Sequence, residues 1–246
     1  MTVETLTRLK LGELQLLQSR AGYRFSLDPV LLVRFAEVRA GELAVDLGTG
    51  SGIMPLLLAR LSPVRQVIGV ELQAGQVERA KKNVVLNQLQ ERVQILDGDI
   101  RQIRELLPSA QADLVVSNPP YRKLKTGRVA PDDERAAARH ELAGGLEDFV
   151  RAAAWLLKNG GRFALIYLAE RLPELFGLMT GCGIEPKRLR LIHPRQGEPA
   201  KMALVEGRKM GRPGLSVDPP LIVYQGEGRD YTAEVLRMYG EEEVPN

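Results

Sequence analysis

The chain has 246 residues, with 34 lysines and arginines against 31 aspartates and glutamates, a formal net charge of +3, 44% hydrophobic residues and 26% charged ones. Those proportions belong to a folded protein and exclude a disordered or collagen-like chain. A single cysteine, Cys182, excludes an intrachain disulfide and a cysteine-built zinc site, and the longest apolar runs, such as Ile53 to Ala59, fall well short of the ~20 residues of a membrane-spanning helix.

Met1 to Lys10 mixes acid, base and threonine without an apolar core, so no cleaved signal is expected and the cytoplasm is the expected compartment. Residues 1–40 read as a lead segment to one domain spanning 1–246. From there β-type apolar runs alternate with helical patterns. The spacing predicts strands over Leu43 to Leu47, Gln66 to Glu71, Val93 to Leu96, Ala112 to Ser117 and Arg162 to Leu168. It predicts helices over Ile53 to Leu61, Ala74 to Asn87, Ile100 to Leu107 and Leu146 to Lys158. This alternation is the mark of a mainly parallel α/β sheet with helices on both faces. Lys187 to Ile192 and Met202 to Arg208, joined by a loop holding Pro and Gly, predict a terminal antiparallel hairpin, and 209–246 a C-terminal extension.

Asp46-Leu47-Gly48-Thr49-Gly50-Ser51-Gly52 follows the first of these strands and opens a helix, a tight turn in which glycines let a ligand lie close to the backbone. A dinucleotide fingerprint would carry its third glycine at position 53, where this chain has Ile53, which disfavours a dehydrogenase. Glu71 ends the next strand, and its two carboxylate oxygens suit the two hydroxyls of a ribose; Asp99, past the third, suits an adenine amino group. Each acid alone reads more simply as a solvated loop carboxylate. The three together, at successive strand ends, describe a nucleoside site.

Asn118-Pro119-Pro120-Tyr121 follows the fourth strand. An exocyclic amino nitrogen is a poor nucleophile because its lone pair is delocalised. Asn118 Oδ1 and the Pro119 carbonyl suit its two N–H groups, Pro119 and Pro120 stiffen the chain that carries these acceptors, and Tyr121 suits a flat base stacked on its ring. The same tetrapeptide is also a good turn. Its place at the carboxyl edge of the sheet favours chemistry.

Asp46 to Gly52, Glu71 and Asp99-Ile100 resemble the first three motifs of the class I Rossmann-like S-adenosylmethionine methyltransferases. That resemblance implies a seven-stranded, mainly parallel sheet ending in an antiparallel hairpin. It implies S-adenosyl-L-methionine as cofactor, held by Asp46, Gly48, Thr49, Gly50, Gly52, Glu71, Leu72, Asp99, Ile100 and Asn118. Asn118 to Tyr121 resemble the fourth motif of members that methylate adenine N6, cytosine N4, guanine N2 or glutamine amides, which names the kind of nitrogen and leaves the molecule open.

Further pieces resemble the bacterial tRNA adenine-N6 methyltransferases: Tyr23 to Asp28 with Leu31-Leu32, Ala138 to Glu141, and Pro220 to Tyr224. The resemblance implies N6-methylation of adenine in RNA, in tRNA near the anticodon, and adds Phe25 and Asp28 to the cofactor site. Arg122, Lys123, Lys125 and Arg128 crowd the loop after Tyr121 and suit the phosphates around an inserted nucleotide, with Asp132, Asp133 and Glu134 as the counter-charges of a merely solvated loop. His140 and His193 read as structural or surface residues, and neither a metal nor a membrane partner is expected. The open alternatives are DNA adenine, guanine N2 of rRNA, a release-factor glutamine, and a cofactor-binding scaffold without turnover.

Overall fold

In the computed structural model, residues 4–19, 27–121 and 144–240 are described. The chain opens with a hairpin of β1 (Glu4–Leu9) and β2 (Leu14–Ser19), paired from Glu4 with Ser19 to Leu9 with Leu14. Helix α1 (Asp28–Phe35) follows, with Pro29 in its first turn, where a missing N–H costs nothing. The central elements are β3 (Leu43–Leu47), α2 (Ile53–Leu61), β4 (Gln66–Glu71), α3 (Ala74–Leu86), β5 (Val93–Asp97), α4 (Ile103–Leu106) and β6 (Ala112–Ser117). After these come α5 (Leu146–Leu156), β7 (Leu157–Leu168), α6 (Leu172–Gly181), β8 (Ile184–His193) and β9 (Met202–Lys209). Two short strands, β10 (Ser216–Val217) and β11 (Leu221–Ile222), and α7 (Ala233–Met238) complete it.

The large sheet runs β5-β4-β3-β6-β7-β9-β8, and both β10 and β11 add in parallel to the outer edge of β8. β9 is antiparallel to β7 and to β8, so the expected terminal hairpin is present and sits within a mainly parallel sheet. The expected seven strands are there; among the described residues the two-residue strands raise the count to nine. Two residues are too few to show a period, so the sequence places both short strands only within a C-terminal extension.

Strand residues alternate between two cores. Ala44, Leu114 and Val116 face a cluster with Leu31, Leu32, Leu56, Leu57 and Val84 of α1 to α3. Val45, Leu47 and Val115 face Phe149, Val150, Leu156 and Met179 of α5 and α6. Burying each such leucine or phenylalanine stabilises the fold by roughly 1.5–3 kcal/mol. All five residues of β3 are buried, so Asp46 has no solvent-facing alternative.

Two expected helices are corrected. Ile100 to Leu107 is a 3-10 turn over Ile100–Gln102 followed by α4, because the Asp99 side chain caps the backbone N–H of Arg101 and the chain kinks at Gln102. Leu146 to Lys158 ends as a helix at Leu156, because Leu157 already pairs with Ala112 of β6 and the ladder claims the segment from there. Among the described residues no helix is long and apolar enough to cross a membrane.

Candidate active site

The strand order steps outward from β3 to β4 and β5, then returns to β6 on the other side of β3. The connections after β3 and β6 therefore diverge at the carboxyl edge and leave a crevice between them. Ser117 binds the two strand ends together, its hydroxyl donating to the Leu47 carbonyl at 2.9 Å. The glycine loop and the tetrapeptide start from this joint.

Gly48, Gly50 and Gly52 all have left-handed backbone, with φ of +73°, +57° and +85°. Side chains would collide at two of them: a Cβ on Gly48 would lie 3.1 Å from the Phe149 ring and one on Gly52 3.1 Å from Ala80 Cβ. At Gly50 a Cβ would meet nothing within 4 Å, so this glycine faces open space. The N–H groups of Gly48 and Thr49 donate to the Val70 carbonyl at 2.9 and 3.1 Å, pinning the start of the loop to β4.

Glu71 pins the middle. It is buried, and its carboxylate accepts from Gly50 N and from Gln73 N, each at 2.8 Å. One lone pair on each oxygen is left for another donor. Asp46 is fully buried, and among the described residues neither of its oxygens has a hydrogen-bond partner. Burial pushes its pKa from 3.8 to about 7; the Thr49 hydroxyl lowers it in part without satisfying either oxygen, and the charge of Glu71 raises it. A buried carboxylate with no partner is costly and calls for a donor or cation from beyond the described residues. The orphaned acid beside an open glycine fits a compact ligand carrying a positive group.

Asp99 lies past β5 and is held by Arg101, whose guanidinium grips both carboxylate oxygens and keeps the pKa below the usual carboxylate range. Ile100 beside it is buried and Leu72 is half-buried.

The tetrapeptide places Pro119 in the interior and leaves Asn118, Pro120 and Tyr121 half-buried. The Tyr121 hydroxyl meets Asp28 Oδ2 at 3.0 Å and also Asn118 Oδ1. Asp28, at the start of α1, is thus brought to the tetrapeptide. The Tyr121 ring packs edge-on against Tyr167, with centroids 5.9 Å apart at 61°. Tyr167 is fully buried at the end of β7, its hydroxyl bound by Arg171, which is in turn clamped by both oxygens of Glu174 at 2.9 and 2.8 Å. Burial pushes the Tyr167 phenol up.

Asp46 with the glycine loop, Glu71, Asp99 and Asn118 to Tyr121 thus all lie at the carboxyl ends of β3, β4, β5 and β6, with Asp28 bound to Tyr121. Phe25, Arg122, Lys123, Lys125, Arg128 and His140 lie outside the described residues. His193 is set apart, its Nδ1 2.7 Å from the Glu198 carbonyl. Sequence reasoning missed Ser117, Phe149, Tyr167 and Arg171. Only Ser117 left a signal, as the polar end of an apolar strand next to the tetrapeptide.

Residues 28–174 match the family described as methyltransferase small domain. A Porphyromonas gingivalis protein named tRNA1(Val) (adenine(37)-N6)-methyltransferase is 37% identical over 164 residues, and the match spans 64% of each chain, just under two thirds of that relative. A Tolumonas auensis protein of the same name is 31% identical over 226 residues, 91% of each chain. Among solved structures, a predicted O-methyltransferase from Agrobacterium tumefaciens superposes with a TM-score of 0.68 at 25% identity, covering 89% of this chain and 99% of the other.

Proposed function

From the premise that the chain belongs to the methyltransferase small domain family, we propose that it methylates N6 of an adenine in RNA, in tRNA beside the anticodon, with S-adenosyl-L-methionine as methyl donor. The observation that carries this reading is the pairing at one crevice of two unlike sites: an uncompensated acidic cradle under the glycine loop, and an amide–phenol pair on a proline-stiffened turn. The Porphyromonas and Tolumonas relatives both bear names for this reaction on tRNA.

The cofactor, when bound, supplies an electrophilic methyl on a sulfonium. Asp46 and the open face of Gly50 suit its ammonium-bearing end, the free lone pairs of Glu71 suit the ribose hydroxyls, and Asp99, Ile100 and Leu72 suit the adenine. Binding a cation next to Asp46 removes the cost of its buried charge.

Asn118 and Tyr121 handle the acceptor. One phenolic proton serves one acceptor at a time, so when Tyr121 donates to Asp28 the Asn118 Oδ1 is released for a substrate N–H. Oδ1 and the Pro119 carbonyl then take the two N–H groups of the target amine and turn its lone pair outward, without a strong base. Tyr121, its edge fixed on Tyr167, presents a ring for the base, and a nucleotide in a loop is the one that unstacks at least cost. Arg122, Lys123, Lys125 and Arg128 take the neighbouring phosphates.

The test is nucleoside mass spectrometry on unmodified tRNA incubated with the protein and S-adenosylmethionine. N6-methyladenosine should appear with the parent, and Asn118→Ala should slow its formation about a hundredfold or more while leaving cofactor affinity largely intact. Methylation of a matched DNA hairpin as readily as tRNA, or of a glutamine-containing peptide instead, would overturn the substrate assignment.

A further inference from the structure

The N-terminal hairpin does not join the central sheet, yet one side of β2 is paired as though it did. In an antiparallel hairpin every second residue turns its N–H and C=O away from its partner strand. In β2 these residues include Gln15 and Leu17, and the groups those two offer are met by two asparagines, Asn83 within α3 and Asn87 capping its C-terminal end. Asn87 accepts from Gln15 N at 2.8 Å and donates to Gln15 O at 2.7 Å. Asn83, one helical turn earlier on the same face, accepts from Leu17 N at 2.7 Å and donates to Leu17 O at 3.1 Å. Each primary amide imitates the edge of a strand.

The two amides differ in their second donor. That of Asn87 returns to its own helix, 2.7 Å from Asn83 O. That of Asn83 reaches 2.9 Å to the carbonyl of Ser51, between Gly50 and Gly52 in the glycine loop. Both side chains are buried, so no water substitutes for these bonds, and Asn83 is fully enclosed. Val70 O holds the start of the loop, Glu71 its middle N–H, and Asn83 the Ser51 carbonyl just before α2 begins.

We propose that Asn83 is a positioning residue for the cofactor site, fixing the glycine loop and the N-terminal hairpin with one side chain so that loop order and hairpin docking support each other. The inference rests on the reading of the glycine loop as the cofactor site. Coupling of this kind is reciprocal: whatever orders the loop protects the hairpin, and undocking the hairpin loosens the loop. Asn87 supplies an internal control, since it makes the same pair of bonds to β2 and none to the loop.

The experiment compares Asn83→Ala and Asn87→Ala in the full chain by calorimetry with S-adenosylhomocysteine and by amide hydrogen exchange without ligand. Both variants should speed exchange in β2. The glycine loop should exchange faster as well, strongly in Asn83→Ala, which should weaken binding about tenfold, and only slightly in Asn87→Ala, which reaches the loop through the hairpin alone and should bind within about twofold of the parent. Equal effects of the two variants on the loop would overturn the proposal. If Asn83→Ala does not fold, the parent alone decides: adding S-adenosylhomocysteine should slow exchange at the Leu17 amide, and unchanged exchange there contradicts the coupling. A parent that binds no S-adenosylhomocysteine refutes the cofactor reading instead, and ligand-free exchange in the loop of a folded variant still judges Asn83.

Discussion

The two edges of the central sheet both hold acids, half-buried at one and buried under the glycine loop at the other, and treat them differently. At the amino edge, Arg162 binds Glu42 through both oxygens at 2.7 and 2.6 Å and stands 3.8 Å from Glu206. Lys158 meets Asp113 at 2.6 Å, and the same carboxylate accepts from Leu43 N. At the carboxyl edge, Asp46 and Glu71 share no ion pair among the described residues: Glu71 has only backbone N–H groups, and Asp46 has no hydrogen-bond partner. Ion pairs at Glu42 and Asp113 tie strand starts together, while among the described residues one oxygen of Glu206 has no hydrogen-bond partner and burial raises its pKa. Asp99 is paired with Arg101, so the uncompensated charge at the other edge is that of Asp46, which destabilises the empty fold and is repaid when a cation binds.

The largest expected effect tests the structural edge. Arg162→Met leaves Glu42 and Glu206, whose side chains are 12% and 13% exposed, without the Arg162 charge, and breaking a buried pair from one side costs up to about 3–5 kcal/mol. Denaturant unfolding should show that loss, while the ligand affinity of the folded fraction stays near the parent's. A loss below about 1 kcal/mol would mean that the amino edge is no better neutralised in energy than the carboxyl edge, and the contrast would collapse.

A smaller effect sharpens the contrast from the substrate side. If Arg122, Lys123, Lys125 and Arg128 neutralise phosphates, replacing two of them with alanine should weaken tRNA binding and flatten its log–log salt dependence by roughly 0.7–0.9 for each phosphate no longer neutralised. Tyr121→Ala should weaken binding or turnover with the slope nearly preserved, because stacking releases few counterions. A parental slope in the cation variant would make that loop a solvated one.

Much of the carboxyl edge is legible in the sequence because its elements are long and its punctuation is strong. The Asp46 to Gly52 loop, Glu71 and Asn118 to Tyr121 each lie at the end of a five- or six-residue apolar strand, so one βα pattern places them all at the same edge. The N-terminal hairpin is not legible. Leu11, Leu14, Leu16 and Leu17 lie among glutamines and glutamates, a composition equally suited to a helix, and β2 takes its second partner from asparagine side chains about seventy residues away. Asn83 and Asn87 read as ordinary polar positions near a helix end. Arg171 and Tyr167 escape for the same reason: their role under Tyr121 exists only once β7 is laid beside β6. Long-range pairs between polar side chains leave no local period to read.

The central claim is that the uncompensated acid under the glycine loop awaits a cationic ligand, and Asp46 tests it most directly. Its pKa in the folded protein is raised from 3.8 to about 7, so the folded state keeps a proton that the unfolded chain releases. The stability that Asp46 contributes is therefore highest below pH 3.8 and falls as pH rises to about 7, and Asp46→Asn should gain on the parent across that window and keep its advantage above it. Binding should run the other way, because an ammonium-bearing ligand prefers the ionised carboxylate. Calorimetry with S-adenosylhomocysteine between about pH 6 and 8 should show parent affinity rising by up to about tenfold, with Asp46→Asn weaker and flat. A parent affinity independent of pH, or an Asp46→Asn variant that keeps the parental rise, would contradict the account.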